Sequence, residues 1–142
     1  MQIAIGADHG GYEYKEQIIK FLKANGYSIK DFGTYSNASC DYPEFAKTVA
    51  QAVASGECEK GILICGTGIG MSIVANKQKG IRAALCSDLF SAKATREHNN
   101  SNILCMGERV IDIDLALKIT EVWLNTPFSN EERHLRRIGM IE

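Results

Sequence analysis

The sequence predicts an α/β fold, a single three-layer domain over residues 1–142 with a five-stranded parallel sheet. Two observations lead to this prediction. Short apolar runs alternate with segments of helical periodicity, and five strand-to-helix steps follow one another without a repeat, a low-complexity segment or an internal linker. Consecutive steps of this kind build a parallel sheet that is covered by helices on both faces.

Each strand is predicted from a short apolar run, and each helix from a longer amphipathic segment. The predicted strands are Gln2–Ala7, Ser28–Phe32, Gly61–Cys65, Ile81–Cys86 and Ile103–Met106. The predicted helices are Gly11–Ala24, Tyr42–Ala54, Gly70–Asn76, Asp88–Glu97, Asp112–Leu124 and Asn130–Ile138.

Start and stop signals support the first two helices. The first is amphipathic, with Ile18 and Leu22 on its apolar face and Lys15 on its charged face. Asn25-Gly26 is typical of a helix end, because these residue types accept left-handed backbone geometry. In the segment Asp41–Pro43, the aspartate can cap the second helix and the proline suits its first turn.

A glycine-rich turn follows the third predicted strand, where residues 61–77 read G-I-L-I-C-G-T-G-I-G-M-S-I-V-A-N-K. Gly66, Gly68 and Gly70 let the backbone approach a ligand closely with its N–H groups turned inward. The helix that begins after them adds positive potential, which favours the thiolate form of Cys65. A base or nucleophile beside an anion-binding turn indicates carbanion or acyl chemistry.

The spacing of the turn excludes one common motif and weakens another. A Walker A loop needs a lysine directly after its last glycine, and here no lysine follows until Lys77. A dinucleotide fingerprint needs G-x-G-x-x-G, and this turn has Met71 in the last position. Asp88 does lie near the place of a ribose-binding carboxylate, so a nucleotide interpretation stays open at this point.

The composition indicates a cytoplasmic protein whose ligand is a small molecule. The net charge is -1 with no run of one sign, so neither nucleic-acid binding nor membrane binding is expected. No apolar stretch reaches the length of a membrane span, and the amino terminus enters a strand without a signal peptide. Five cysteines without a C-x-x-C pair indicate reduced thiols and no thiolate metal site.

The candidate reactive residues fall where ligands bind in α/β sheets, at the carboxyl ends of strands. These residues are Asp8, His9, Cys65, Thr67 and Arg109. His98 and Asn99, in contrast, are expected between the fourth helix and the fifth strand, at the amino end of that strand. They would have to reach a site on a neighbouring subunit, which suggests a dimer.

Each of these residues also has an ordinary structural interpretation. Asp8-His9 can belong to a turn that caps the first helix, and His98–Asn100 can form a helix C-cap. Arg133 and Arg137 share one helix face and can grip a phosphate, yet two arginines after two glutamates also fit a solvated helix. Only the conjunction of these residues favours a functional site.

The conjunction resembles a known family. The motifs are A-D-H-G-G, D-Y-P, I-C-G-T-G-I-G-M-S-I-x-A-N-K, G-I-R-A-A, H-N-x-S-N, G-E-R-V and E-R-H-x-x-R. In this order they resemble the type B ribose-5-phosphate isomerases of the ribose/galactose isomerase family, over nearly the whole chain. The resemblance implies a Rossmann-like sheet of strand order 2-1-3-5-4, and a homodimer with both active sites at its interface. It also implies interconversion of the sugar phosphates ribose 5-phosphate and ribulose 5-phosphate, without metal, nucleotide or other cofactor.

The resemblance also implies a role for each matching residue. Cys65 would be the base that moves a proton between C2 and C1, because this chain has Met71 where another branch of the family has a glutamate base. The turn amides of Gly66, Gly68, Ile69 and Gly70 would hold the enediolate oxygens. Ring opening would involve Asp8, His98 and Thr67. Sugar hydroxyls would be bound by Tyr42 and Asn99. The phosphate would be surrounded by His9, Arg109, Arg133 and Arg137.

Two alternative functions are compatible with these residues. An allose-6-phosphate or galactose-6-phosphate isomerase would use the same chemistry on a longer sugar, although the galactose enzymes divide the active-site residues between two different chains. A non-catalytic sugar-phosphate-binding module would need no base. Asp8, Cys65 and His98 therefore favour an enzyme.

Overall fold

The computed structural model describes residues 1–141 and confirms the predicted α/β fold. The strands are β1 (Gln2–Ala7), β2 (Ser28–Asp31), β3 (Lys60–Cys65), β4 (Ala83–Leu85) and β5 (Ile103–Gly107). The helices are α1 (Tyr12–Ala24), α2 (Tyr42–Ala54), α3 (Ile69–Ala75), α4 (Leu89–Asn99), α5 (Ile113–Asn125) and α6 (Glu132–Gly139). All strand pairs are parallel and run in the order β2-β1-β3-β5-β4, which agrees with the resemblance.

Helices bury both faces of the sheet. One face packs against α1, α4 and α5 around the fully buried Trp123, whose indole N–H donates to Ser101 Oγ at 2.9 Å. The other face packs against α2 and α3 around Met71. The central strands β1, β3 and β5 are therefore apolar along nearly their whole length, as expected for a parallel sheet. Within residues 1–141, no helix is long and apolar enough to cross a membrane.

Predicted and observed ends differ by at most two residues, and β4 and α4 are among the elements that differ by two. Strand β4 was predicted to be longer, but it lies at the sheet edge and pairs only with β5. Helix α4 continues through His98 and Asn99, which were expected to lie beyond it, and Asn100 takes the C-cap with a left-handed φ of 47°. His98 and Asn99 therefore occupy the last helical turn, still beside the amino end of β5.

The prediction for Lys15 is wrong: it was expected on the charged, solvated face of α1, but its side chain is fully buried. Its ammonium Nζ donates to both carboxylate oxygens of Asp31, at 2.8 and 2.9 Å, and to Glu16 at 2.9 Å. The rings of Tyr12 and Tyr35 also lie within 5.6 Å of Nζ. These partners compensate for the burial of the charge and attach α1 to the end of β2.

Candidate active site

The carboxyl end of β3 carries Cys65 into the glycine-rich turn. Its thiol is almost buried, and Sγ accepts a hydrogen bond from the backbone N–H of Gly68 at 3.0 Å. Gly68 has a φ of +79°, and a Cβ there would lie 2.8 Å from the backbone of Met106, so the turn requires glycine at this position. An amide that donates to sulfur stabilises a thiolate more than a thiol, because hydrogen bonds to charged acceptors are stronger.

The segment after β5 covers this turn. The Glu108 N–H donates to the Cys65 carbonyl at 2.9 Å, and the Arg109 N–H donates to the Gly66 carbonyl at 3.0 Å. The Arg109 side chain lies over Gly66, since a Cβ on that glycine would be 3.5 Å from Arg109 Cδ. A guanidinium group is thereby held beside the turn amides, where it can attract an anion.

The segment after β1 approaches the same turn from the other side. Asp8 is largely buried, and its Oδ1 accepts the Gly10 N–H at 2.9 Å. A Cβ on Gly10 would lie 3.2 Å from the Gly66 nitrogen, so the two turns are in close contact. Helix α1 begins directly after this contact. A Cβ on Gly11 would overlap the Ile64 carbonyl, and only glycine allows so close an approach to β3.

Three more predicted residues lie around this turn. The Tyr42 ring lies over Gly70, where a Cβ would be 2.5 Å from Tyr42 Cε1. Thr67 is exposed, and its Oγ1 accepts the Ile69 N–H at 3.2 Å. His9 is half-buried next to Asp8. The structure thus brings together the predicted residues Asp8, His9, Tyr42, Cys65, Gly66, Thr67, Gly68, Ile69, Gly70 and Arg109.

The remaining predicted residues form a second group, which lies towards the amino ends of the strands and not at their carboxyl ends. His98 and Asn99 end α4 beside the amino end of β5, roughly 15 Å from its carboxyl end at the strand's rise per residue. Helix α6 packs against α4 and carries the exposed Arg133 and Arg137. Within one chain, His98, Asn99, Arg133 and Arg137 are therefore separated from Cys65.

Known proteins match this chain over nearly its whole length. A family model described as Ribose/Galactose Isomerase matches residues 3–141. The chain belongs to the ribose/galactose isomerase family. It is similar to ribose-5-phosphate isomerase B of Escherichia coli, with 46% identity over 99% of this chain and 93% of that protein.

Solved structures of ribose/galactose isomerases have the same fold. Ribose-5-phosphate isomerase B of Clostridium thermocellum matches with a TM-score of 0.98 and 55% identity over 99% of this chain and 95% of the other. The Mycoplasma genitalium enzyme, solved with bound ribulose 5-phosphate, matches with a TM-score of 0.94 and 39% identity over 99% of this chain and 93% of the other.

The structure adds His134 to the second group, a residue that the sequence prediction did not select. Its ring stacks on that of His98, with centroids 4.5 Å apart and planes at 20°. Burial lowers the pKa of His134, and the charges of His98, Arg133 and Arg137 lower it further, against Glu131, which raises it. The signal was present in the sequence, because His134 lies within E-R-H-x-x-R, one of the motifs on which the resemblance rests.

Glu108 is a second residue without an earlier prediction. Its Oε1 accepts the Tyr14 N–H at 2.9 Å, so a carboxylate from the β5 end caps α1. Burial raises the pKa of Glu108 and the carboxylates of Glu13 and Asp8 add to the rise, whereas the bond from the Tyr14 N–H and the charge of Arg109 oppose it. The two residues are 94 positions apart, so no local sequence pattern predicts their contact.

Among residues 1–141, no three His, Cys, Asp or Glu side chains form a group that could hold a metal ion. The five cysteines of the chain are all free in the structure.

Proposed function

We propose that the chain interconverts ribose 5-phosphate and ribulose 5-phosphate by proton transfer through an enediolate, as in the pentose phosphate pathway. The observation that supports this most directly is the Gly68 amide at 3.0 Å from Cys65 Sγ, within a turn whose amides can also bind oxygen anions. Membership of a family of aldose-ketose isomerases supports the reaction class.

In the proposed mechanism, the Cys65 thiolate removes the proton from C2 of the open-chain aldose. The electron pair forms the C1–C2 double bond, and negative charge develops on the sugar oxygens. The thiol then returns the proton to C1 while the proton of the C2 hydroxyl moves to O1, which gives the ketose. The amides from Gly66 to Gly70 hold the enediolate oxygens, and each well-aimed donor of this kind contributes about 10²–10³ in rate.

The other residues take the roles that their places allow. Asp8 and Thr67 lie close to the turn and assist proton transfer at the sugar oxygens, and Tyr42 binds a hydroxyl group. His9 and Arg109 hold the phosphate from the Cys65 side. Binding energy from the phosphate positions C2 at the sulfur, although the phosphate itself does not react.

We further propose that the active form is a homodimer, because one chain cannot bring its second group of residues to Cys65. His98, Asn99, Arg133 and Arg137 of one copy complete the site of the other, with His98 opening the sugar ring. Exposed apolar side chains near the sheet edge support such an association. They include Leu85, Leu89 and Phe90, the last of which is 81% exposed.

Cellular conditions form the last part of the proposal. The protein functions in the cytoplasm as one domain of 142 residues, without metal, cofactor, nucleic acid or membrane. Its five free cysteines are consistent with a reducing compartment.

Assays with several sugar phosphates test the proposed reaction. Ketose formation is measured with ribose 5-phosphate, allose 6-phosphate, galactose 6-phosphate and free ribose at equal concentrations. The expected result is the highest kcat/KM with ribose 5-phosphate. Preference for a hexose phosphate would reassign the substrate, and no turnover with any would favour a binding module.

A further inference from the structure

The segment between β2 and α2, residues 32–41, lies against the candidate site and is called the 32–41 loop here. Its first residues continue the pairing with β1, because the Ala7 N–H donates to the Gly33 carbonyl and the Thr34 N–H donates to the Ala7 carbonyl, both at 2.7 Å. Lys15 holds the loop base through Asp31, whose Oδ1 also accepts the Gly33 N–H at 2.9 Å. The loop is thus fixed to the same strand end that carries His9.

The far end of the 32–41 loop contacts His9 directly. The backbone N–H of Cys40 donates to His9 Nδ1 at 3.2 Å, and Cys40 Sγ lies 4.0 Å from the same nitrogen. A backbone N–H can only donate, so Nδ1 must accept. Both nitrogens of an imidazolium ion carry protons, and only a neutral ring with its proton on Nε2 has a free acceptor at Nδ1.

We propose that the backbone N–H of Cys40 fixes His9 as a neutral imidazole with its proton on Nε2, so that His9 offers its ligand one uncharged, directed donor. The role of this donor rests on the proposed function, in which the ligand is the phosphate of a sugar phosphate. His9 then contributes a hydrogen bond of fixed direction to the phosphate, while the arginines contribute the positive charge. Cys40 is a positioning residue, because it acts through His9.

This assignment separates two substitutions that are otherwise similar. The amide nitrogen of glutamine can take the place of Nε2, whereas that of asparagine reaches only the place of Nδ1. His9→Gln should therefore keep KM for ribose 5-phosphate within about threefold of wild type. His9→Asn should raise KM about ten- to a hundredfold, the range for loss of a hydrogen bond to a charged group. Similar KM values for the two variants would overturn the proposal.

Nitrogen-15 NMR tests the tautomer without depending on activity. The chain has three histidines, and the His9 signals are assigned by their loss in His9→Gln. Near neutral pH, two-bond correlations should show an unprotonated Nδ1 and a protonated Nε2, with and without inorganic phosphate. A proton on Nδ1, or on both nitrogens, would overturn the proposal.

Cys40→Ala is the matched control, since it removes the thiol and keeps the backbone N–H. The His9 tautomer should be unchanged in this variant, and its loss would contradict the role of the amide. The predicted tautomer in a protein that turns over no sugar phosphate would support this inference and contradict the proposed function. The inference about the His9 tautomer and the proposed function can therefore be contradicted independently of each other.

Discussion

At the scale of single residues, the chemistry of the candidate site depends on one thiol and its hydrogen-bond donor. Cys65 is almost buried, yet its sulfur has the Gly68 amide as a partner. For two other thiols, burial raises the pKa: to about 11 for Cys86, and above its ordinary value for Cys58. Those two thiols stay protonated at neutral pH and cannot replace Cys65 as a base.

Replacement of Cys65 tests its role as the base. Cys65→Ala should lower kcat by about 10²–10⁴ and leave the affinity for inorganic phosphate nearly unchanged, because the thiol acts on a proton and not on the phosphate. Steady-state kinetics and phosphate inhibition give the two values. Cys58→Ala, which changes a buried thiol before β3, is the control and should keep its kcat.

Heavy water gives an independent check on the same thiol. The wild-type enzyme should incorporate some solvent deuterium into the sugar, because a proton held on sulfur can exchange before it is returned. Complete absence of deuterium at every pH would indicate hydride transfer and contradict a role for Cys65 as the base.

Glu108 gives a prediction about stability and pH. Its pKa is raised in the folded state, so the protonated carboxyl favours folding and stability is lost as the pH rises through the folded pKa. Glu108→Gln keeps an acceptor for the Tyr14 N–H and removes the charge. Its melting temperature should exceed that of wild type at pH 7 and match it below about pH 4.

Thermal unfolding at several pH values measures this difference. Glu121→Gln, at an exposed position on α5, is the control for removal of one negative charge and should show no such trend. A Glu108→Gln variant less stable than wild type at pH 7 would show that the charge of Glu108 stabilises the end of α1.

At the scale of elements, each predicted strand and helix is present, and the differences lie at their ends. The apolar periodicity determines where an element is, but tertiary contacts determine where it stops. Strand β4 is short because only β5 pairs with it, and the sequence contains no signal for edge position. The prediction of a C-cap at His98–Asn100 is confirmed at Asn100, whose residue type accepts the left-handed geometry.

For the candidate site, too, local sequence patterns predicted the positions of residues but not their tertiary contacts. Strand ends and the glycine turn were predictable, because parallel strands bring their carboxyl ends to one edge. The contacts of Cys40 with His9 and of Glu108 with Tyr14 were not, since they join positions 31 and 94 residues apart. Burial of Lys15 was also missed, because its partner Asp31 lies on another element.

Helix α6 leads to a prediction about phosphate recognition. Arg133→Ala or Arg137→Ala should raise KM for ribose 5-phosphate and reduce the preference for phosphorylated over free ribose, because the two guanidinium groups project from one helix face. Arg136→Ala removes an exposed arginine from the same helix at a different angle and should change neither value. Equal inhibition of all three variants by inorganic phosphate would indicate that Arg133 and Arg137 are only surface charges.

At the scale of the whole molecule, the two separated groups of residues predict complementation between inactive chains. Cys65→Ala and His98→Asn should each be inactive alone, but a heterodimer of the two has one site with both residues intact. Equal coexpression should restore roughly a quarter of wild-type activity, because half of the dimers are mixed and each has one working site. Activity of the purified mixture measures the effect.

A second pair of variants controls this experiment. Asp8 and Cys65 lie at the same site within one chain, so Asp8→Ala and Cys65→Ala should not complement each other. Activity restored in both mixtures would contradict the shared site, and so would activity restored in neither.

Metal independence is the remaining prediction for the whole protein. Activity should survive exhaustive treatment with a chelator, because the proposed proton transfer uses a thiol and backbone amides. Turnover of ribose 5-phosphate is measured before and after treatment. Loss of activity that one divalent ion restores would contradict the prediction.

The strand order has a consequence for how the protein is made. Strand β5 is the last to leave the ribosome, yet it lies inside the sheet between β3 and β4. A nascent chain that ends before residue 103 has paired β2, β1 and β3 at most, while β4 has no neighbour and the edge of β3 is open. Such an intermediate exposes apolar strand surface, which attracts chaperones or other unfinished chains. Once β5 is made, it fills the gap between β3 and β4 and brings Arg109 over the glycine-rich turn. The candidate site is therefore complete only when folding is complete.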